Sequence, residues 1–149
     1  MPLVDVIDET FVVAPPAVVA AALKDAALWR TLFPDLDVEV HEDRGDEGVR
    51  MTVTGALVGS NEFWVEPWCD GAVVHYYLRA DPTRRGSATE VATGEARRLL
   101  RRAIRLREAH CVRLKAGLNA LKDRLEAGRP PGAPLGGYPP VEPPAAKGR

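Results

Sequence analysis

The sequence is poor in the residues that usually build metal sites and nucleophilic sites. Its two cysteines, Cys69 and Cys111, and its three histidines are scattered along the chain. Neither a paired-cysteine spacing nor an HExxH pattern is present, so we predict no metal site and no cofactor. The only serines, Ser60 and Ser87, lie in turn-like segments, which argues against a serine nucleophile.

Long apolar runs are also missing. No stretch of the 149 residues is apolar and long enough to cross a bilayer. Residues 1–13 lack the basic start and the apolar run of a signal peptide. We therefore expect a soluble, cytoplasmic protein, and its length predicts one domain with a packed core.

Charge is distributed unevenly along the chain. Residues 1–83 carry 15 acidic and 5 basic side chains, whereas residues 94–127 carry 10 basic and 4 acidic ones. We expect much of this charge to be neutralised by a basic helix that packs on an acidic layer. The alternative is a cationic face for nucleic acid or anionic lipid. We predict no nucleic-acid partner, because no aromatic residue interrupts the arginines and no recognition motif is present.

Residues 94–127 have the periodicity of one long amphipathic helix. Thr93 can cap its start, and Gly128 followed by prolines can end it. At 1.5 Å per residue the helix is roughly 50 Å long. Its apolar stripe needs a partner surface. The stripe comprises Ala96, Leu100, Ala103, Cys111, Leu114, Leu118, Leu121 and Leu125.

The segments before this helix read as strands and short helices. Alternation and turn residues predict strands over residues 3–13, 36–43, 49–57, 61–68 and 72–80, with short helices over 17–24 and 26–33. Gly59-Ser60 is interpreted as a break between two strands. The domain is expected to span residues 1–128, and the Pro/Gly-rich segment 129–149 is predicted to be a disordered tail.

This order of elements, with the passage TFVVAPPAVVAAALKDAALWRTLFPDLDVEV, resembles the START-like or SRPBCC superfamily, in particular its bacterial polyketide cyclase/dehydrase-like and lipid-transport members. The resemblance implies an α+β helix-grip fold, in which a curved antiparallel sheet wraps around the C-terminal helix and encloses an apolar cavity. About five strands are predicted here, fewer than such folds usually have. The cavity is therefore expected to be small, open at one side, or completed by a second chain.

Candidate site residues follow from the predicted faces. Arg107 and His110 fall inside the apolar stripe of the helix, so both are expected to point toward the sheet. Arg107 could bind a carboxylate or enolate of a ligand, or it could pair with Asp8 or Glu9, or reach the rim. Period-two alternation predicts an inward set in the sheet, with Tyr76 as its one polar tip. This set comprises Val49, Met51, Val53, Phe63, Val65, Val74, Tyr76 and Leu78.

The opposite face of the sheet would carry two large aromatic residues, Trp64 and Tyr77, together with His75. That composition is unusual for a wet surface, and it indicates either a dimer contact or an inverted assignment of the two faces. An inverted assignment would place Trp64 and His75 in the cavity. The sequence leaves both possibilities open.

The function predicted from these features is the binding of a small hydrophobic or amphipathic ligand, such as a lipid or a polyketide, between sheet and helix. The ligand-binding residues are predicted to be Met51, Phe63, Tyr76, Arg107, His110 and Leu114. One alternative is a polyketide cyclase/dehydrase-type enzyme that uses Arg107, His110 and Tyr76. Another is a non-catalytic interaction protein without a useful cavity, which could form a homodimer.

Overall fold

Five strands and three helices follow one another in the predicted order in residues 1–127, the part of the chain that the computed structural model describes. The predicted tail at 129–149 lies outside the described residues. The elements are β1 (Val4–Val12), α1 (Pro16–Leu23), α2 (Ala26–Leu32), β2 (Leu36–Asp43), β3 (Gly48–Gly55), β4 (Leu57–Trp68), β5 (Gly71–Pro82) and α3 (Ala96–Glu126).

The strands form one antiparallel sheet in the order β1-β5-β4-β3-β2. The strands β2, β3, β4 and β5 lie side by side in sequence order. The first strand, β1, pairs with β5 and forms the edge of the sheet opposite β2. The long helix α3 packs across the inner face of the sheet, where Ala103, Leu114, Leu118 and Leu121 are buried in the core. The α+β helix-grip architecture predicted from the sequence is therefore confirmed. None of the helices in residues 1–127 combines the length and apolarity needed to span a bilayer.

The pairing register resolves which face of the sheet points inward. Phe63 pairs with Tyr76 and Val65 with Val74 across β4 and β5, and all four side chains are buried. The whole inward set predicted from alternation lies in this core. The neighbouring positions Trp64, His75 and Tyr77 therefore lie on the outer face.

The edge strand β2 is the least covered part of the sheet. The inward-facing positions of β3 and β4 are almost fully buried, but Leu36 and Val38 of β2 are only half-buried, and Val40 is 47% exposed. Val40 pairs with Met51 of β3, so this uncovered margin lies directly beside the core. The inner face of the sheet is therefore only partly covered along β2.

Two local predictions are wrong, and both errors have physical reasons. Gly59-Ser60 does not end a strand, because β4 runs unbroken from Leu57 to Trp68. A Cβ on Gly59 would lie 2.2 Å from the carbonyl oxygen of Arg79, so this glycine permits a close approach of β4 to β5. Thr93 does not cap α3, whose N-cap is Glu95. The preceding loop is tied to the end of β5 by a 2.8 Å bond from the Ala92 amide to the Pro82 carbonyl, which delays the helix.

Gly117 allows α2 to approach α3. A Cβ at this position would lie 2.1 Å from Cδ2 of Leu32, the last residue of α2, and Leu32 itself is completely buried. The residue that follows Leu32 is Phe33, whose ring reaches His110 of α3. The missing side chain at Gly117 thus helps to set the position of an aromatic ring in the core.

We expect Gly117→Ala to destabilise the fold by about 1–3 kcal/mol, although alanine favours a helix over glycine by about 1 kcal/mol. The reason is overpacking against Leu32. Urea unfolding of the wild type, the single variants and the Leu32→Ala/Gly117→Ala double variant measures this effect. In the double variant the Gly117→Ala change should lose its penalty. An equal penalty in both backgrounds would rule out the contact with Leu32 as the cause.

Candidate functional site

Three polar side chains meet inside the apolar core between the sheet and α3. The Tyr76 hydroxyl of β5 lies 2.8 Å from Nε2 of His110 of α3, and the Asn61 side-chain amide of β4 donates to the same hydroxyl at 3.3 Å. All three residues are at most 2% exposed. We call Asn61, Tyr76 and His110 the inner polar cluster. Its hydrogen bonds connect two central strands of the sheet to the helix.

Burial keeps the inner polar cluster uncharged at neutral pH. Desolvation is the largest cause that lowers the pKa of His110, to about 4, with Arg113 lowering it further and Asp35 opposing the shift. Desolvation likewise raises the pKa of Tyr76 well above its usual range. In a neutral imidazole one ring nitrogen accepts and the other donates, so we assign the Tyr76 hydroxyl as donor to Nε2 of His110, with the ring proton on Nδ1.

Aromatic rings surround the cluster. The Phe33 ring stacks on the His110 imidazole with centroids 5.3 Å apart and an interplanar angle of 5°. Phe33 also lies 5.8 Å from Tyr76, and Phe63 lies 5.0 Å from Tyr76, between ring centroids. Such stacked and tilted pairs stabilise a core beyond the area that they bury. The cluster is therefore held in a fixed orientation by apolar contacts.

The Asn61 amide is incompletely satisfied. Its Oδ1 is buried and has no hydrogen-bond partner in the part of the chain that the structure describes. The amide nitrogen is assigned to the side that faces Tyr76, because the hydroxyl donates its single proton to His110 and can only accept from Asn61. Leaving a buried polar atom unpaired destabilises a fold by about 1–3 kcal/mol. Asn61 thus marks a place in the core where a further polar group would be favourable.

Five of the six predicted site residues come together in this region. Tyr76 and His110 form the cluster, Met51 pairs with Asn61 in the register of β3 and β4, and Leu114 follows His110 by one helical turn. Phe63 contacts Tyr76 as described above. All five are buried.

Arg107 is the exception, and its predicted inward orientation is wrong. Its side chain is exposed, and its Nε donates to the backbone carbonyl of Asp5 on β1 at 3.1 Å. This contact is the rim position that the sequence left as an alternative. A guanidinium at the edge of the helix stripe reaches water through its long aliphatic stem, which avoids the large penalty of a buried cation.

Sequence reasoning missed Asn61 and Phe33. The alternation that placed Phe63 and Val65 inward also places Asn61 inward, but the break assumed at Gly59-Ser60 made Asn61 the first residue of a strand and hid it. Tyr76 is therefore not the one polar tip on the inner face. Phe33 lies just after α2, where φ of −130° ends the helix, and no periodicity predicts that its ring turns toward α3.

The outer face of the sheet carries a second group of interacting side chains. Trp64 stacks on His75 with centroids 4.4 Å apart, and His75 also lies 2.8 Å from Glu66 and 3.3 Å from Glu9 through its two ring nitrogens. These neighbours cover His75, which is 7% exposed. No cluster of His, Cys, Asp and Glu in residues 1–127 has the arrangement needed to hold a metal ion.

Comparison with solved structures identifies the architecture. The fold matches the Aha1 dimer from Colwellia psychrerythraea with a TM-score of 0.53 and 14% identity, over 85% of this chain and 99% of that one. It matches TTHA0849 from Thermus thermophilus with a TM-score of 0.51 and 18% identity, over the same shares. A START superfamily protein from Mycobacterium smegmatis follows at 0.46 and 11%, over 81% and 98% of the two chains. This chain therefore shares its fold with the first two of these structures.

No protein-family model matches the chain, and no curated protein is similar to it in sequence. At these low identities the likeness shows the fold alone, so the function is inferred from the inner polar cluster and its surroundings.

The buried, neutral state of His110 predicts a pH dependence of stability. The unfolded imidazole titrates near 6.5 and the folded one near 4, so the unfolded chain binds the proton more tightly between these values. The contribution of the neutral, buried His110 to the free energy of unfolding is therefore fully present above about pH 6.5. As the pH falls toward 4, the free energy of unfolding decreases by up to roughly 3 kcal/mol. Urea unfolding at a series of pH values should show a flatter dependence for His110→Gln than for the wild type.

The exposed His41 supplies a matched control, since His41→Gln removes one histidine without touching the core. It should leave the pH dependence as in the wild type. If His110→Gln also followed the wild-type curve, the imidazole of His110 would titrate normally in the folded protein, and its burial in the neutral state would be refuted.

Proposed function

We propose that this START-like domain binds a small, largely apolar ligand between the sheet and α3, with the ligand's polar group at the inner polar cluster. The apolar part would lie among Met51, Phe63 and Leu114. The observation that carries the proposal is the buried Asn61 amide with one unpaired polar atom. Ligand pockets commonly have this composition, an apolar lining with a few convergent polar groups.

The chemistry of the cluster selects the polar group of the ligand. All three cluster residues are neutral at physiological pH, so a charged headgroup would find no counter-ion inside the core. A hydroxyl can donate to Asn61 Oδ1. We therefore propose an amphipathic ligand with a hydroxyl or a comparable neutral donor, rather than a carboxylate.

The open margin along β2 supports a route for the ligand. Val40 is half-exposed and pairs with Met51, whose side chain is buried and belongs to the core. Methionine is unbranched and adapts to irregular space, so Met51 can change rotamer to admit a ligand. The side chains that fill the grip in the free protein would then be displaced toward this margin.

The pKa values favour binding over proton transfer. A general acid or base works best when its pKa lies near the operating pH, whereas the pKa of His110 is lowered to about 4 and that of Tyr76 is raised. The exposed position of Arg107 also removes one of the three residues on which the cyclase alternative depended. Ligand binding is the function that this geometry supports best.

Native mass spectrometry of the protein purified from a bacterial host tests the proposal. We expect a non-covalent mass that is released on denaturation, and we expect Asn61→Leu to reduce its retention by about tenfold, as the loss of a buried hydrogen bond implies. Because leucine has a similar volume and no unpaired polar atom, the free energy of unfolding of the free protein should stay within about 1 kcal/mol of the wild type.

Asn119→Leu is the matched control, since Asn119 is exposed on α3 and the same chemical change there leaves the core intact. It should retain the ligand as the wild type does. The proposal fails if the wild type carries no ligand and takes up none from a lipid extract, or if Asn61→Leu retains it fully. The same spectra count subunits, so a ligand-free dimer would support the interaction-protein alternative instead.

A further inference from the structure

The charge on α3 divides into two halves with different surroundings. In the C-terminal half, three basic side chains contact other parts of the fold. Arg113 lies 3.1 Å from Asp35, Lys115 lies 3.3 Å from Asp8, and Lys122 donates to the Phe11 carbonyl at 2.7 Å. The neutralisation predicted from the sequence therefore takes place in this half. It does not extend to Arg101 and Arg105, which lie nearer the start of the helix.

A pocket of about 630 Å³ lies between the loop after β5 and the N-terminal turns of α3. Six of its eleven lining residues are arginines, and its single acidic residue is Glu95. We call this site the arginine pocket. Its arginines are Arg84, Arg85, Arg98, Arg101, Arg102 and Arg105.

Half of these arginines are already engaged. Arg84 pairs with Glu90, Arg98 lies 3.6 Å from Glu95, and Arg102 donates to the Thr83 carbonyl at 2.8 Å. The last bond ties the helix to the loop and so holds the two walls of the pocket together. The pocket is thus shaped by the fold and not only by a run of charge.

The other half carry unneutralised charge. Arg85, Arg101 and Arg105 have no ion pair and no side-chain hydrogen bond within residues 1–127. Arg98 and Arg102, and likewise Arg101 and Arg105, are four residues apart on the helix, where like charges repel and destabilise it. An anion bound among them would remove this repulsion. The whole chain has a net charge of −1, so this local excess does not reflect a generally basic protein.

Two further features suit phosphate groups. Every basic residue in the pocket is arginine, and the planar guanidinium binds phosphate oxygens through two parallel hydrogen bonds, which lysine does not. The side chain of the N-cap residue Glu95 also makes no capping hydrogen bond to the first turn of α3. Helix N-termini favour anions, so the start of α3 adds to the field of the arginines.

We propose that the arginine pocket is a binding site for a compact anion that carries two or more phosphate groups. The three uncommitted arginines are the ligating groups, and the three engaged ones form the frame that holds them. The site is separate from the inner polar cluster, since it lies outside the sheet-facing side of α3 and none of its lining residues belongs to that cluster. Its ligand is charged, whereas the proposed ligand of the core is neutral.

Isothermal titration calorimetry with inorganic triphosphate, at fixed ionic strength, tests this proposal on the full chain. The wild type should bind triphosphate, bind orthophosphate much more weakly, and gain thermal stability in the presence of triphosphate. Arg101→Gln/Arg105→Gln should weaken triphosphate binding by at least about tenfold, because two charge-assisted hydrogen-bonding groups are lost.

Arg30→Gln/Arg124→Gln is the control, because it removes the same charge from exposed arginines outside the pocket. Its affinity for triphosphate should change by less than about twofold, since distant exposed charges are screened by salt. Equal weakening in both double variants would overturn the proposal by reducing the effect to net charge. Absence of binding by the wild type, with circular dichroism showing a folded protein, would also overturn it.

The same protein samples also test two macromolecular partners, a membrane surface and a nucleic acid. Sedimentation with phosphatidylcholine vesicles, with and without phosphatidylglycerol, reports a membrane surface, and a fluorescent single-stranded oligonucleotide reports a nucleic-acid surface. We expect neither the vesicles nor the oligonucleotide to bind the protein appreciably. Binding of vesicles or oligonucleotide that is stronger than that of triphosphate and is lost in Arg101→Gln/Arg105→Gln would overturn the small-ligand assignment.

Discussion

The hydrogen bond between Tyr76 and His110 is the contact on which the interior of this domain depends. It joins the middle of the sheet to the middle of α3 in a place from which water is excluded. Both partners must stay neutral there, because a charge on either would be buried without a counter-ion. The stacking of Phe33 on His110 adds a third element, the chain after α2, to the same point. The helix α3, the sheet and the chain after α2 thus meet around one polar contact.

That contact also explains why the core is not purely apolar. A leucine in place of His110 and a phenylalanine in place of Tyr76 would fill similar space without any polar group to satisfy. The structure instead keeps a polar cluster whose third member, Asn61, remains incompletely bonded. A core that contains a half-satisfied polar network is less stable than a well-packed apolar core. A binding role for the cluster gives this arrangement a physical reason, since a ligand would complete the network.

The sequence predicts the elements of this fold better than it predicts the site. Alternation in β3, β4 and β5 identifies the inward face, because a strand has only two faces and one of them is buried. The stripe of α3 is also visible, yet a helix stripe has broad edges, and Arg107 at such an edge turned outward to the Asp5 carbonyl. Glycine commonly interrupts strands, but Gly59 lies within β4 and permits a close approach of β4 to β5. The ring of Phe33 is placed by tertiary contacts that no local pattern contains.

Charge follows the same division between local pattern and tertiary context. The basic character of α3 is evident from the sequence, but whether a given arginine is neutralised depends on what the fold brings beside it. Lys115 meets the β1 segment around Asp8, whereas Arg101 and Arg105 face a pocket that contains little acid. The helix therefore presents three surfaces with different chemistry: an inward apolar stripe that contains the neutral His110, a neutralised half toward β1, and a cationic half toward the loop after β5.

The most direct test is the ¹⁵N NMR spectrum of the histidine side chains, recorded for the protein as purified and after delipidation. We expect His110 to be a neutral Nδ1-H tautomer in both states, and we expect its ring signals to shift on delipidation while those of His75 on the outer face do not. A charged His110 at neutral pH, or a shift confined to His75, would contradict the assignment of the inner polar cluster as the ligand site.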